Sequence, residues 1–193
     1  MTLTSGTSAL TFAATSGTKT ITTNGKTLDF PVTFDGVGGT WQLQDNLTMG
    51  STRTTTLTNG TLDLNAKTFT AGTTFATATG TKNITFNGGT LACPGTTSAF
   101  NNAQPTGFTT TLGSGTGKIS MTNASTKTFT GGGSTYRCTL EQAGAGALSI
   151  LGSNTFNNIS NSVQPTTVSF GASTTTTIRA LSLAGSGTNY VTV

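Results

Sequence analysis

Histidine is absent from this 193-residue chain, and charged side chains of either sign are scarce. The lack of histidine excludes the Ser-His-Asp and Cys-His catalytic systems and removes the commonest metal ligand. The 9 lysines and arginines and the 5 aspartates and glutamates make up only 7% of the residues, against about a quarter in ordinary domains. The lysines and arginines are scattered along the sequence, whereas a nucleic-acid-binding surface needs a concentrated basic patch. We therefore expect no nucleic-acid partner.

Long apolar runs are missing as well. No run approaches the roughly 20 residues that a membrane-spanning helix needs, so we expect no membrane insertion. Residues 1–14 have neither the basic nor the apolar region of a secretory signal. We therefore expect the protein to stay where it is made, or to leave by a route without a cleaved signal, such as host lysis. Helical periodicity is absent throughout, which predicts essentially no α-helix.

Threonine is the residue that the chain has in excess, at roughly a quarter of the sequence, far above average usage. The β-branched threonine side chain suits a pleated strand, and the 26 glycines, with the asparagines, suit the bends between strands. Residues 27–34 alternate polar and apolar side chains, which is the period of a half-buried strand. This regular placement of the apolar residues argues against disorder and predicts an all-β domain.

Several short phrases recur along the chain. A strand end, a glycine bend and a new strand opening on an aromatic form one phrase, at residues 33–41, 68–75 and 128–136. An Asn-Gly bend leading into Thr-Leu forms another, at residues 24–29, 59–63 and 87–91. Looser pairs are 65–70 with 123–130, 100–106 with 156–166, and 47–51 with 148–153. Such self-similarity marks a repeat architecture, and we divide the single domain 1–193 into units of approximately 20–58, 59–122 and 123–193.

Two β architectures fit these repeats. Bends that recur with a whole unit, together with ladders of threonine and asparagine, favour a β-solenoid, in which each coil pairs with the next. Asn-Gly between alternating strands is also a strong hairpin signal, so an antiparallel β-sandwich is the alternative. Residues 2–4 and 190–193 have strand alternation without caps, and we expect these ends to meet another subunit, another domain or further sequence.

The repeats resemble those of two groups of proteins. Residues 60–70 resemble the Gly-Thr-Leu-x-Leu-Asn-Gly-x-Thr repeats of β-helical bacterial surface proteins. Residues 132–159 and 188–191 resemble Thr/Gly/Asn-rich repeats of phage virion proteins, especially fibres and other particle-surface components. The likeness covers most of residues 20–193. Because the signal peptide of a surface adhesin is missing, we favour the phage resemblance, which implies a solenoid fold and supplies no catalytic residue.

The few groups that could carry chemistry are better explained as structure. Asp29 and Asp63 are the only carboxylates that the repeat aligns, and we interpret them as a stacked outward ladder, not as the paired acids of a glycan-cleaving enzyme. The glycines of residues 36–39 and 131–133 lack the aspartate of a calcium repeat, so they are bends. Residues 113–118 resemble a phosphate loop only faintly, without its spacing or a following helix. We therefore expect no catalytic, cofactor-binding or metal-binding residue.

Two cysteines and three aromatics remain to be placed. Cys93 and Cys138 share strand parity with apolar neighbours and should point inward. Buried free thiols are the first interpretation, a cross-coil disulfide the second, and a metal site the third. Trp41, Phe75 and Tyr136 stand at equivalent positions of the repeated phrase, where a stacked core ladder is favoured over a sugar-binding platform.

The leading functional hypothesis is a non-enzymatic structural protein of a bacteriophage particle, located in the virion as a fibre, spike or capsid-surface component. Its expected partners are other virion subunits and copies of itself, with a trimer as one form, and a host-surface receptor. One alternative is an extracellular adhesin or filament module at a bacterial cell surface. A minor alternative is an ice-binding solenoid, suggested by Thr-x-Thr runs whose intervals are irregular, at residues 18–22, 52–58, 77–81 and 126–130.

Overall fold

Short strands joined by tight bends make up the protein. A computed structural model describes residues 6–164, 166–185 and 191–192. Strand accounts for about 52% of the structure, and no described residue is helical. The strands are β1 (Leu10–Phe12), β2 (Thr18–Ile21), β3 (Thr27–Leu28), β4 (Val32–Leu43), β5 (Leu47–Met49), β6 (Thr54–Asp63), β7 (Thr68–Thr70), β8 (Thr74–Thr77), β9 (Lys82–Thr85), β10 (Thr90–Cys93), β11 (Phe100–Asn101), β12 (Phe108–Thr111), β13 (Lys118–Met121), β14 (Lys127–Thr130), β15 (Thr135–Gln142), β16 (Leu148–Leu151), β17 (Thr155–Asn161), β18 (Thr166–Phe170), β19 (Thr177–Ser182) and β20 (Val191–Thr192).

Every ladder between the described strands is parallel, and the strands stack as a β-solenoid of about 8 turns. The predicted helix-free solenoid is therefore confirmed, and the antiparallel sandwich is excluded. Because parallel pairing joins one turn to the next, the Asn-Gly bends do not close hairpins. Of the two predicted open ends, residues 2–4, 190 and 193 lie outside the described part of the chain.

Each turn contributes three strand segments, which stack into three columns that we call the first, second and third face. The first face runs through β1, the starts of β4 and β6, and then β8, β11, β14, β16, β18 and β20. The second face holds β2, the ends of β4 and β6, then β9 and β12, and the starts of β15, β17 and β19. The third face holds β3, β5, β7, β10, β13 and the ends of β15, β17 and β19.

The core lies between the three faces and follows from alternation along each strand. On the first face, Phe75, Phe100 and Phe129 lie opposite one another in successive turns and point inward. Their ring centroids are 5.8 Å and 4.6 Å apart, with the ring planes within 10° of each other. On the second face, Leu62 and the following Leu64 are both fully buried, as the alternation of residues 60–64 predicts. Stacked identical positions therefore bury a continuous apolar column along the solenoid.

The bend from the second to the third face uses the left-handed backbone conformation, which asparagine and glycine tolerate best. Three bends of this kind are Asn24-Gly25, Asn65-Ala66 and Asn87-Gly88, and all six residues have positive φ, whereas the bend between β4 and β5 has no residue with positive φ. The predicted equivalence of residues 59–63 with the other Asn-Gly phrases is wrong, because Asn59-Gly60 lies within β6, where it passes from the first face to the second. Residues 65–69 hold the equivalent place, since Thr68 lies opposite Thr90.

The aromatic phrase is displaced in the same way. In residues 33–41 and 128–136 the phrase leads from the first face to the second, so Trp41 and Tyr136 lie on the second face. In residues 68–75 it leads from the third face to the first, so the predicted equivalence of Phe75 with those two aromatics is wrong. The looser pairs also join segments on different faces. The phrases encode a strand, a bend and a strand, and such a unit fits any corner of the solenoid.

Candidate functional site

The carboxylates do not form a catalytic pair. Asp63 lies on the second face and is buried, and its carboxylate accepts hydrogen bonds from Gln42 Nε2 (2.9 Å) and Asn87 Nδ2 (2.8 Å) of the neighbouring turns. Asp29 follows β3 on the third face, and its carboxylate accepts a 2.8 Å hydrogen bond from Arg53 Nε, which lowers the pKa of Asp29. The prediction that Asp29 and Asp63 stack in one outward ladder is wrong, because they end strands on different faces.

The glycine segments lie where the chain turns from one face to the next, either between strands or at a register shift within one. Residues 131–133 connect β14 to β15, and Gly132 and Gly133 have positive φ. Residues 36–39 lie within β4, where the ladder to β6 shifts register. Residues 113–118 connect β12 to β13, so a strand and not a helix follows them. Across the described ranges, the structure contains no cluster of three His, Cys, Asp or Glu side chains that could hold a metal ion.

Both cysteines are buried and free, as predicted. Burial raises the pKa of Cys138 to about 12 and raises the pKa of Cys93 as well. Cys93 lies in β10, and Cys138 lies in β15, two turns further along. Gln142, and not Cys138, is in line with Cys93 in β15, so the two backbones are more than two strand spacings, about 9.5 Å, apart. That distance is too great for a disulfide without backbone movement.

The aromatics favoured as a core ladder are all buried. Trp41, Phe75 and Tyr136 are at most 1% exposed, so none can act as a sugar platform. The Tyr136 hydroxyl donates a 2.8 Å hydrogen bond to the Gly131 carbonyl, and desolvation raises the pKa of Tyr136. The Tyr136 ring stacks on Phe156 in the next turn, with centroids 5.2 Å apart. The aromatic positions therefore serve packing.

Outward threonines line the second face in register. We number the turns by the first-face strand that opens each one, so that turns 1 to 6 begin with β1, β4, β6, β8, β11 and β14. Thr18, Thr40 and Thr61 lie opposite one another in turns 1 to 3, and Asn83 and Thr109 continue the row in turns 4 and 5. The intervals between these residues in sequence differ because the bends differ in length, while the ladder keeps the backbone spacing constant. Two of the Thr-x-Thr runs found in the sequence lie elsewhere: the β-strand parts of residues 52–58 and 126–130 are on the first face.

The ladder of the second face is interrupted between β12 and β15. β12 pairs with β9 on one side, and on the other side a side chain replaces the main-chain ladder: Thr110 Oγ1 accepts from the Arg137 amide (3.0 Å) and donates to the Thr135 carbonyl (3.3 Å). A groove of about 760 Å³ lies over this interruption. Thr109 and Thr111 line one wall, and exposed side chains of β15, β17 and β19 line the other.

Two arginines project from that second wall. Thr135, Thr155 and Thr177 are in register in successive turns. Arg137, Asn157 and Arg179 follow these threonines by two residues and form a second outward row, although the ladder between β15 and β17 shifts register directly after Tyr136. All three side chains of this second row are exposed. The sequence predicts the arginines only as scattered surface charges, and it does not predict this row. The shared Thr-x-Arg spacing at 135–137 and 177–179 was the available signal.

The described residues contain no helix that is long and apolar enough to cross a membrane. Two exposed arginines and a row of hydroxyl and amide groups on one face are the most distinctive surface feature of this part of the chain. Comparison with known proteins found no matching family model, no similar curated protein and no similar solved structure.

Proposed function

We propose that this chain is a non-enzymatic structural element of a bacteriophage particle, in a fibre, a spike or a capsid-surface component. The observation that carries the proposal is the continuous parallel solenoid of about 8 turns. An interior turn of such a stack is hydrogen-bonded to the turns on both sides, so opening it breaks two ladders at once. A rigid rod that resists local unfolding and proteolysis suits the outside of a particle.

The chemistry of the faces supports a structural role. Outward positions carry mostly threonine, serine and asparagine, and Asp29 and Asp63 are held by hydrogen bonds on separate faces. The resemblance of residues 60–70 and 132–159 to surface and virion repeats is the reason to place the rod in a phage particle. The alternative location, on a bacterial cell surface, shares the same architecture.

The sheet edges supply the surface for assembly. β3 and β19 are the outer strands of the third-face sheet, and each has one edge that pairs with no other described strand. Pairing with another subunit would add main-chain hydrogen bonds, each worth a net of about 0.5–1.5 kcal/mol. We therefore propose that the protein binds other virion subunits and further copies of itself, with a trimer as one form.

The experiment that tests the proposal is quantitative mass spectrometry of purified phage particles, with immunogold labelling to locate the protein. A fixed copy number per particle, with labelling at a fibre, spike or capsid surface, is the expected result. Empty particle fractions and gradient fractions without particles serve as controls. Labelling of bacterial cells without particles would favour the adhesin alternative, and a freely secreted monomer with hydrolase activity would overturn the proposal.

Ice binding is a second candidate function, favoured by one observation. The register brings Thr18, Thr40 and Thr61 into one row despite their irregular spacing in sequence. The neighbouring outward row contains Gln42 and the hydrogen-bonded Asp63, which interrupt a uniform threonine surface. Thermal hysteresis that is abolished by Thr40→Leu but unaffected by Thr128→Leu, on the first face, would establish this function in place of the structural role.

A further inference from the structure

The groove beside β12 has a regular second wall. Arg137 and Arg179 lie two turns apart, each two residues beyond an in-register threonine, with Asn157 in the turn between them. Since neighbouring strands lie about 4.8 Å apart, the two arginine backbones are separated by about 9.5 Å. Exposed Thr155 and Thr177 stand beside this row. The wall therefore presents two guanidinium groups with hydroxyl and amide groups between and beside them.

No acidic group neutralises these arginines. The four aspartates precede residue 64 and lie in turns 1 to 3, away from the groove. Glu141 lies on the third face, where its carboxylate accepts hydrogen bonds from Lys118 Nζ (3.0 Å) and Ser120 Oγ (2.7 Å). Among the described residues, neither guanidinium makes an ion pair. The groove therefore keeps an uncompensated positive potential that attracts anions.

The chemistry of the wall selects one ligand class. Guanidinium groups bind carboxylates, sulfates and phosphates through paired N–H donors, and threonine and asparagine side chains match the hydroxyl groups of a sugar. The groove has no exposed aromatic ring on which bases could stack, and two arginines are few for a nucleic-acid backbone. Because the two arginine backbones lie about 9.5 Å apart, their guanidinium groups can each hold a separate anionic group of one extended ligand.

We infer that the groove between β12 and β15 binds an extended acidic oligosaccharide, with Arg137 and Arg179 each holding one of its anionic groups. Thr109 and Thr111 face the glycan from the opposite wall. The interruption of the ladder, bridged by the Thr110 hydroxyl, creates the depression in which the glycan lies. This inference rests on the groove alone and does not depend on the proposed role in a particle.

The test is calorimetric titration of the full chain with defined hexasaccharides at low salt. The probes are a heparin hexasaccharide, which is sulfated, and a hexamer of galacturonate, which carries carboxylates only, with neutral maltohexaose as the control. We expect binding of at least one acidic probe, weakening as salt is added, and no binding of maltohexaose. Arg137→Gln and Arg179→Gln should each reduce affinity about tenfold or more.

Matched variants separate a specific groove from general charge. Lys19→Gln and Lys26→Gln remove one exposed positive charge each from turn 1 and should leave affinity unchanged. Asn157→Asp keeps the size of the side chain and should weaken acidic binding by placing a negative charge between the arginines. If Arg137→Gln lowers the melting temperature, Arg179→Gln and Asn157→Asp still decide the matter. Equal losses in the lysine variants, no binding of either acidic probe, or tighter binding of an oligothymidylate would each overturn the inference.

Discussion

Turns 1–3 and turns 4–6 are built on the same three ladders, but their interiors differ in polarity. In the first three turns the buried polar side chain that points inward is Thr55, since buried Asp63 lies in an outward row. In the next three turns the inward ones are Thr77, Lys82, Asn102, Thr110, Lys127 and Gln142. Two of the three polar turns are also longer. Along the inward row of the first face, Val32, Thr55 and Phe75 are 23 and 20 residues apart, and Phe100 and Phe129 follow after 25 and 29, while Ile150 follows after 21.

Asn102 shows what a longer turn requires. Its Oδ1 accepts a 2.7 Å hydrogen bond from Thr77 Oγ1 in the preceding turn. Its Nδ2 donates to the Gly131 carbonyl (3.1 Å) and to Tyr136 Oη (3.1 Å) in the following turn. A bend that leaves the ladder points backbone carbonyls into the interior, where each needs a donor. Asn102 thus joins three turns through polar contacts that an all-apolar core could not make.

Buried lysines also donate hydrogen bonds to inward-pointing backbone carbonyls at other bends. Lys127 Nζ donates to the carbonyls of Gly144 (3.1 Å) and Gly146 (2.6 Å), and Gln142 Nε2 donates to the same two carbonyls. Lys82 Nζ donates to the carbonyls of Gly80 (3.0 Å) and Thr106 (2.9 Å). Desolvation lowers the pKa of both lysines, that of Lys127 to about 8. Bends whose carbonyls point into the interior of this solenoid are therefore stabilised from the inside by polar side chains, in the longer turns 4 and 5 and in the shorter turn 6.

The largest expected effect tests the apolar interior of the first turns. Leu64→Asp places an unpaired carboxylate in a fully buried site and should lower the free energy of unfolding by at least about 3 kcal/mol. Thr61→Asp, on the outward side of β6, should cost less than about 1 kcal/mol. Urea denaturation of both variants measures the difference. Equal losses would show that the inward and outward sides of β6 are reversed.

The next effect tests the polar interior of the later turns. Asn102→Leu should lower the free energy of unfolding by about 2–3 kcal/mol, because it removes the buried hydrogen bonds to Thr77, Gly131 and Tyr136 and leaves the Thr77 hydroxyl only its longer bond to the Gln104 carbonyl. Asn101→Ala, the partly exposed neighbour, is the control and should cost less. If Asn102→Leu were as stable as the wild type, the buried polar contacts of Asn102 would make no contribution to the free energy of unfolding.

A pH experiment sharpens the same contrast. Because the folded state lowers the pKa of Lys127 from 10.5 to about 8, the unfolded chain binds more protons between those pH values. The free energy of unfolding of the wild type should therefore rise with pH across that interval relative to Lys127→Met, by about 1–3 kcal/mol. Taking the difference between the variants removes the opposing contribution of the buried thiols, whose raised pKa values destabilise the fold at high pH. Lys26→Met controls for the loss of one charge, and parallel pH profiles for the wild type and Lys127→Met would contradict the prediction.

The smallest effect is a stabilisation in the first turns. The Thr55 hydroxyl is buried without a hydrogen-bond partner in an inward row between Val32 and Phe75. Thr55→Val has nearly the same shape and should raise the free energy of unfolding by about 1 kcal/mol, since it removes an unsatisfied polar group. Thr56→Val, on the outward side of β6, should change it by less than about 0.5 kcal/mol. A loss of stability in Thr55→Val would indicate that the hydroxyl has a partner, such as a buried water.

The alternation of residues 27–34 and 60–64, the absence of helical periodicity and the repeated bends were enough to predict an all-β solenoid with Leu64 inside and both thiols buried. These are local properties, because side-chain direction alternates along any strand. The sequence did not predict the row of Arg137, Asn157 and Arg179 or the cluster around Asn102. Both depend on which residues lie opposite one another in different turns.

The sequence by itself therefore determined the kind of strand, the kind of bend and the inward or outward direction of each side chain. Only the tertiary structure decided which face each phrase occupies. Residues 59–63 and 65–69 both begin with an asparagine that could form the bend, but only residues 65–69 lead into the same strand ladder as Asn24-Gly25. The physical reason is that the bends differ in length, so the sequence position of a segment does not fix which of the three faces it occupies. Register between turns is set by the summed packing and hydrogen bonding of whole ladders, which no single phrase contains.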